Sequence, residues 1–496
     1  MMHALWMTMT TGESDWASSY ADCELSYYEI LSSGAISKLF ASHEAANDTC
    51  SRSEKRQLDM LKVEAMEQLA DESTRRRISE TWNRLHLRIS TGRAEIDGSK
   101  LTDREVQTIL SASRNERTRR RVWEAYMAIG SQNAPDLMQL VADRNAVAAA
   151  QGFSDYFEMK LALQGVSQHE LFAIIARLRS GLDATYMRVK AEIDESVASV
   201  FHIPVAQLQP WHYEDPFFQR HSFSQRTYKW EPSALLAELK RWIHGRRIGT
   251  ADFLGYADLW ERPGKSLANC CLNIDRGRDV RIMCNLSTDI WGLGKLLHET
   301  GHALYEQQID ATLPFVLRQP AHTFLSEGAA LLFERLAWEP GWLSDVGIGY
   351  WHDHQRMLSA MLKQKLVSLY WTIALVQFER ELYRAPGQQL NGLWWDIVEN
   401  TQLLRRPEEW NLPYWAAKAH LSTLPVYYYN YLYGEIAASQ LRYMLDLQFG
   451  DWKSEGALVH LRDHLFRPGA SMEWQSLLKR CTTCHLDPEF LIHDYC

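Results

Sequence analysis

Residues 296–304 read Leu-Leu-His-Glu-Thr-Gly-His-Ala-Leu, an HExxH sequence inside an apolar segment whose composition favours a helix. Residues four apart lie on one face of an α-helix, so His298 and His302 can reach the same metal ion while Glu299 lies beside them. Two neutral imidazoles bind Zn²⁺ strongly, and the ion lowers the pKa of water at an open coordination position toward about 7. The motif therefore predicts a zinc site in which Glu299 is the general base.

The residues around this motif favour a packed helix. Ser287-Thr288-Asp289 offers a helix start, Leu293 and the neighbouring leucines supply an apolar side, and Pro314 closes the region. A pair of structural or solvated histidines is the alternative, because the bare motif also occurs by chance.

A second apolar segment, residues 325–334, contains the acidic side chains that a third ligand requires. It carries Glu327 and Glu334, which are seven residues and two helical turns apart on one face. Burial of an unpaired carboxylate is unfavourable, so a metal ion or a charged partner is expected there. We predict that Glu327 completes a three-ligand site for one Zn²⁺ per chain and that Glu334 orients a ligand histidine. An ion pair with an arginine in the neighbourhood of Arg335 is the alternative for Glu334.

A third segment near the C-terminal end carries groups suited to acyl transfer. Lys418-Ala419-His420 precedes the run 427–435, Tyr-Tyr-Tyr-Asn-Tyr-Leu-Tyr-Gly-Glu. With HETGHALYEQ and the spacing of 25 residues from His302 to Glu327, this resembles the gluzincin zinc metallopeptidases of the helical group that includes angiotensin-converting enzyme, thimet oligopeptidase and Taq carboxypeptidase. The similarity runs from about Arg144 into the last hundred residues and is weak before that.

The resemblance implies roles for the C-terminal residues. Tyr431 is expected to donate a hydrogen bond to the oxyanion of a tetrahedral intermediate, His420 to be a second donor, and Tyr428 to contact the oxyanion or a substrate carboxylate. Phenol hydroxyls in a dry cleft suit this task on chemical grounds alone. Lys418 matches a lysine that holds the C-terminal carboxylate of the substrate in angiotensin-converting enzyme. An aromatic core helix and a surface lysine are the alternatives.

A β-hairpin is predicted upstream of the motif, within residues 269–284. Gly277 is expected to supply its turn, and the alternation around Val280 favours a strand. An exposed edge of such a hairpin can bind an extended peptide through main-chain hydrogen bonds. Cys270 and Cys284 are equidistant from Gly277 and could face each other, as a disulfide in an oxidising compartment or as thiols in the cytosol.

The whole chain of 496 residues is predicted to be one mainly α-helical unit. Leu58, Leu61, Ala65 and Leu69 recur at helical spacing, and no Gly/Ser- or Pro-rich linker divides the sequence. We expect an elongated, two-lobed peptidase fold with a deep central cleft and a small β-hairpin beside the zinc site. In this interpretation residues 1–140 form a helical lid region, and residues 141–496 form the catalytic region, with the zinc site at 298–334 and a C-terminal helical lobe.

Charge and hydropathy restrict the partners. A net charge of −9 and a pI of about 6.1 argue against nucleic acid, because phosphate binding requires a basic surface. No apolar stretch reaches the length of a membrane span, and the start lacks a basic region typical of a signal peptide. Short peptides are the expected substrates, and the cytoplasm is the expected location.

One motif favours a different functional class. Cys481-Thr482-Thr483-Cys484-His485 matches the C-x-x-C-H string of haem attachment, so a haem-binding fusion is an alternative. A peptide-binding protein without catalysis is a weaker one, because His298, Glu299, His302 and Glu327 are all present. The sequence therefore predicts zinc-dependent hydrolysis of peptide bonds in short peptides, of the dipeptidyl carboxypeptidase type. An oligoendopeptidase and a single-residue metallocarboxypeptidase are the alternatives.

Overall fold

The computed structural model describes the chain except residues 46–49, 68–69, 92–93, 222–228, 267, 349–353 and 496. The described part is mainly α-helical, with two small antiparallel hairpins, which confirms the predicted fold class. Leu58, Leu61 and Ala65 lie in one helix, and Leu69 lies outside the described residues. In the described ranges, no helix combines the length and apolar character needed to cross a membrane. The cytoplasmic location stays a prediction.

The α-helices of the described residues are α1 (Met2–Thr11), α2 (Ser14–Leu31), α3 (Gly34–Ala45), α4 (Arg52–Glu67), α5 (Glu72–Thr91), α6 (Asp103–Ala112), α7 (Glu116–Ala150), α8 (Tyr156–Leu163), α9 (Gln168–Phe201), α10 (Pro232–Gly245), α11 (Ile290–Gln308), α12 (Thr323–Glu334), α13 (Pro340–Asp345), α14 (His354–Arg384), α15 (Leu390–Gln402), α16 (His420–Thr423), α17 (Tyr429–Phe449), α18 (Glu455–Leu461), α19 (Trp474–Thr482) and α20 (Glu489–His493). The strands are β1 (Ala94–Ile96), β2 (Ser99–Leu101), β3 (Cys270–Asn273) and β4 (Val280–Met283).

One large apolar cluster joins the long helices α7, α9, α14 and α17 to the helices that carry the HExxH motif and Glu327. Helix α7 runs without a break through residue 140. The division into a lid region and a catalytic region stays a prediction.

Helix α11, which carries the HExxH motif, begins where the sequence indicates. The Asp289 side chain is its N-cap and accepts a hydrogen bond from the Gly292 N–H at 2.9 Å. Leu293, Leu296 and Leu297 are fully buried on its packed side. The helix is therefore fixed at its start and along one face, and its other face presents the motif.

Small residues allow three helices to cross at the motif. A Cβ atom added to Gly301 of α11 would lie 2.6 Å from the Ala330 Cα of α12, and one added to Gly434 of α17 would lie 3.0 Å from the Glu327 Cβ. Real Cβ atoms essentially never approach another heavy atom within 3.0 Å. Glycine is therefore required where the backbones of α11 and α12 meet, and this contact brings Glu327 close to the two histidines.

The predicted hairpin forms strands β3 and β4 beside α11, and Gly277 lies in the connection between them. Arg276, with φ of 51°, takes the left-handed position in this connection. The Asp275 carboxylate causes this turn because it accepts hydrogen bonds from the backbone N–H groups of Gly277 and Asp279. The register consequently shifts by one residue, and Cys270 pairs with Met283 instead of facing Cys284. Both cysteines are free thiols.

Candidate active site

His298, His302 and Glu327 converge between α11 and α12. The Glu327 Oε2 atom lies 3.6 Å from His298 Nε2 and 3.8 Å from His302 Nε2. One ligand atom from each of the three residues lies within 4.8 Å of the others. Among the described residues, no other group of three His, Cys, Asp or Glu side chains meets this distance. The separations exceed hydrogen-bond length, and the buried Glu327 Oε2 has no hydrogen-bond partner. A donor set of two nitrogens and one carboxylate oxygen around such a gap fits Zn²⁺.

The far side of each ligand is held by a further contact. His298 Nδ1 lies 3.1 Å from Glu334 Oε2, and His302 Nδ1 lies 2.7 Å from Ser326 Oγ. The Tyr427 hydroxyl donates to Glu327 Oε1 at 2.9 Å. Such contacts fix the orientation of metal ligands and raise their basicity. The structure places Glu334 against His298, and its orienting role stays a prediction.

Glu334 is also the first member of a buried chain of ion pairs. Its Oε1 atom lies 3.5 Å from Lys365 Nζ, and Lys365 binds Glu435 at 2.8 Å. Arg335 lies 3.5 Å from the same Glu435 and 2.8 Å from Asp494. Burial alone would raise the pKa of Glu334, but Lys365 and His298 hold this pKa at about 2. The cation next to Glu334 is therefore a lysine from α14, and Arg335 points to other carboxylates.

Glu299 lies beside the ligand cluster with its carboxylate facing cavities. Its side chain is 5% exposed, and its Oε2 atom has no hydrogen-bond partner. Burial raises the pKa of Glu299 to about 7. The charge of His298 opposes this rise, and the nearby charges of Glu327 and Glu334 add to it. A carboxylate with a pKa near neutrality can both accept and return a proton, which suits general acid–base catalysis.

Tyr428, Tyr431 and His420 form an aromatic cluster that lines one cavity together with His298. The ring centroids of Tyr428 and Tyr431 are 5.4 Å apart, and those of His420 and Tyr428 are 4.9 Å apart. Burial, followed by the charge of Lys418, lowers the pKa of His420 to about 3, so the imidazole is neutral at physiological pH. The structure thus brings together the three residues proposed from the sequence, and Tyr427 joins them through its contact with Glu327.

A strained backbone position precedes these tyrosines. Val426 has φ of 56°, which is unfavourable for a β-branched residue, and its N–H donates to the Glu379 carboxylate at 2.7 Å. Burial raises the pKa of Glu379 to about 8, although this N–H and Arg144 oppose the rise. Arg144 also donates to the Ser422 carbonyl at 2.8 Å in the same loop. Two buried side chains therefore fix the segment from which the tyrosines project.

Lys418 is directed into the protein and is no ordinary surface lysine. Its Nζ donates to Gln219 Oε1 at 2.5 Å. The rings of Trp371, Tyr428 and Phe217 surround the ammonium group, with centroids at 5.2, 5.6 and 5.8 Å. Gln219 was not indicated by the sequence because it lies 199 residues before Lys418.

Three cavities adjoin the ligand cluster, and all of them reach His298. The Lys418 cavity, of about 540 Å³, contains Lys418, His420, Tyr428 and Tyr431. The Glu306 cavity, of about 440 Å³, contains Glu306 together with the ligands, Glu299 and Tyr431. The Lys295 cavity, of about 550 Å³, contains Lys295 and Glu299. A peptide bond placed at the ligand cluster therefore has space for residues on more than one side.

A profile of peptidase family M3 matches residues 250–495, which include the ligand cluster, Glu299 and the tyrosines. This part of the chain belongs to peptidase family M3. The protein is therefore a zinc metallopeptidase of the helical gluzincin group, as the motif predicted, and it acts on peptides. Similarity was predicted from about Arg144, and the profile supports it from residue 250. No curated protein matches the chain.

The C-x-x-C-H segment of this peptidase is packed against α17. Cys481 is 3% exposed, and burial raises its pKa to about 12. The Gln440 side chain contacts Cys484 Sγ at 3.2 Å and the His485 carbonyl at 3.0 Å. Attachment of haem through both sulfurs would require this packing to open.

Proposed function

We propose that this peptidase removes dipeptides from the free C-terminus of short peptides. The observation that carries the proposal is the position of Lys418, whose ammonium group is fixed by Gln219 in a cavity that continues to Tyr431 and His298. A substrate carboxylate in this cavity would receive a charge-assisted hydrogen bond from Lys418. The aromatic rings around the ammonium group lower the local dielectric constant, which strengthens this interaction.

The residues around the ligand cluster divide the chemical work. His298, His302 and Glu327 would hold Zn²⁺, which supplies Lewis acidity toward the scissile carbonyl and lowers the pKa of water. Glu299 accepts a proton from the attacking water and returns it to the leaving amine. Its buried carboxylate lines the cavity that also contains the three ligands, so it is placed for both transfers.

The aromatic cluster stabilises the charge that develops on the carbonyl oxygen. Tyr431 lines both the Lys418 cavity and the Glu306 cavity, so its hydroxyl is available on both sides of the ligand cluster. A hydroxyl aimed at a developing oxyanion contributes mainly in the transition state. In its neutral form His420 can donate through one ring nitrogen, and Tyr428 connects the oxyanion region to the Lys418 cavity.

An oligoendopeptidase is the second candidate, and the hairpin favours it. Cys270 and Cys271 of β3 line the Glu306 cavity, so an extended peptide could pair with this strand without a free C-terminus. A single-residue metallocarboxypeptidase differs from our proposal only in the distance from the carboxylate site to the scissile bond.

Lys418→Ala, tested on peptides with free and amidated C-termini, distinguishes these candidates. We expect Lys418→Ala to raise KM for free peptides and to leave amidated peptides unaffected, while mass spectrometry of wild-type digests identifies dipeptide products. Lys453→Ala is the matched control, because Lys453 pairs with Glu339 and Asp451 and does not line the three cavities. Equal losses on free and amidated peptides would replace the proposal with the oligoendopeptidase, and single amino acids as products would indicate the metallocarboxypeptidase.

A further inference from the structure

Glu306 lies on the same face of α11 as the two ligand histidines. His298, His302 and Glu306 follow one another at intervals of four residues, and Glu306 lines the cavity that also contains Glu299 and Tyr431. One interval of four residues advances a helix by about 6 Å. The Glu306 carboxylate is therefore placed beyond His302 along the cavity, on the side that does not contain Lys418.

Within the part of the chain that the structure describes, the Glu306 carboxylate has a neutral hydrogen-bond partner and no salt bridge. Asn273 Nδ2 donates to its Oε2 atom at 3.0 Å. Among the described residues, no Lys or Arg nitrogen lies within 4.0 Å of it, and none of the residues lining its cavity is Lys or Arg. Burial raises the pKa of Glu306, and Arg276 is close enough to oppose this rise. The Arg276 guanidinium, however, stacks on the Phe315 ring, 5.0 Å from its centroid.

We propose that the Glu306 cavity is a subsite for an ammonium group of the substrate, located on the N-terminal side of the scissile bond. This inference rests on the proposed function, because Lys418 places the C-terminal part of the peptide in the opposite cavity. Glu306 lies about 6 Å beyond the ligand His302 along the helix, and an extended peptide advances about 3.3 Å per residue. This distance corresponds to about two residues, so we assign Glu306 to the second residue before the scissile bond. Glu306 binds the ammonium through a charge-assisted hydrogen bond, while Asn273 holds the second carboxylate oxygen.

Two parts of a peptide can supply this ammonium group. In a tetrapeptide cut in the middle, the second residue before the bond carries the free α-amino group. In a longer peptide the same position can carry a lysine side chain. The chemistry of recognition is common to both, and the substrates in the experiment separate them.

The experiment compares wild-type enzyme with Glu306→Gln, Glu306→Lys and the control Glu238→Gln. Glu238 is also a carboxylate on a helix, but it pairs with Arg241 and does not line the cavities. The first substrate pair is a tetrapeptide with a free or an acetylated N-terminus. The second pair is an N-acetylated pentapeptide with lysine or norleucine at the second residue before the bond. Both kcat/KM and the affinity of each peptide for the zinc-loaded Glu299→Gln protein are measured.

We expect wild type and Glu238→Gln to prefer the cationic member of at least one pair by roughly 10- to 100-fold, as for other hydrogen bonds to charged groups. The preferred pair identifies the source of the ammonium group. Glu306→Gln should abolish the preference in both kcat/KM and binding, and Glu306→Lys should reverse it. The subsite would be overturned if Glu306→Gln kept the wild-type preference for the cationic peptide. It would also be overturned if the wild type showed no such preference. If Lys418→Ala in that case still raises KM for free peptides and leaves amidated peptides unaffected, the proposed function survives without the subsite.

Discussion

The contact between Gly301 and α12 predicts that Gly301→Ala will weaken zinc binding without removing a ligand. The added Cβ would lie 2.6 Å from the Ala330 Cα and 3.0 Å from the Ala329 carbonyl oxygen, both of which are backbone atoms that cannot rotate away. Relief to an ordinary contact of 3.4 Å requires α11 and α12 to separate by about 0.8 Å. This movement takes Glu327 away from His298 and His302.

The expected magnitudes follow from this displacement. Overpacking a buried site destabilises a protein by about 1–3 kcal/mol, whereas replacement of a helical glycine by alanine stabilises the helix by about 1 kcal/mol. The metal-free protein should therefore lose roughly 0–2 kcal/mol of unfolding free energy. Metal–ligand distances in zinc sites lie within about 0.2 Å of their standard values, so a displacement of this size disturbs the site. We therefore expect zinc affinity to fall by about tenfold or more, which removes roughly 1.4 kcal/mol of the stabilisation that zinc provides.

Gly294→Ala is the matched control for this experiment. Gly294 lies in the same helix and is buried, but a Cβ added there would lie 3.7 Å from its nearest neighbour, Glu334 Cγ, which is an ordinary contact. Zinc affinity is measured by competition with a chelator, and thermal unfolding is followed with and without zinc. If Gly301→Ala and Gly294→Ala bind zinc equally well, the backbone contact does not set the ligand geometry and the argument is wrong.

The remaining predictions concern single groups. Treatment with a chelator should abolish hydrolysis and Zn²⁺ should restore it; full activity in a preparation shown to be metal-free by elemental analysis would reject the site. Glu299→Gln should bind zinc normally while kcat falls by about 10²- to 10⁴-fold, and near-normal turnover would remove Glu299 from its role. Tyr431→Phe should lower kcat by roughly 10²-fold with little change in KM, and an unchanged kcat would direct attention to Tyr428. The pKa of Glu379 is about 8 in the folded protein and about 4.3 in the unfolded chain. Its contribution to the free energy of unfolding is therefore fully present below about pH 4.3 and is lost as pH rises toward about 8. Relative to Glu379→Gln, the wild type should lose about 1.4 kcal/mol of unfolding free energy per pH unit across this window, and parallel stability curves in urea titrations would contradict the assignment.

Local patterns in the sequence predicted the parts of this peptidase that local interactions determine. The Asp289 cap and the leucines of α11 specify where the helix begins and which face is buried, so the relation of His298 to His302 followed directly. The seven-residue spacing of Glu327 and Glu334 similarly placed both carboxylates on one face of α12. Mainly helical structure was predictable for the same reason, because it depends on short-range periodicity.

Contacts between distant segments were not predictable from one sequence. Lys365, Tyr427 and Gln219 contact site residues that are remote along the chain, and nothing in their own neighbourhoods indicates these partners. The suggested pairing across the hairpin was wrong for a different reason. Equal spacing from Gly277 suggested that Cys270 faces Cys284, but the hydrogen bonds to the Asp275 carboxylate put the left-handed position at Arg276, and Cys270 pairs with Met283.

The chain of ion pairs from Glu334 to Asp494 also determines how the metal site responds to ionic strength. The five side chains in it are between 8% and 25% exposed, whereas the surface pair of Arg76 and Glu72 is 71% and 83% exposed. Dissolved salt screens exposed charges strongly and buried pairs much less. The orientation of His298 should therefore persist in concentrated salt, and inhibition by salt would instead arise where Lys418 or Glu306 meets the charged ends of a peptide.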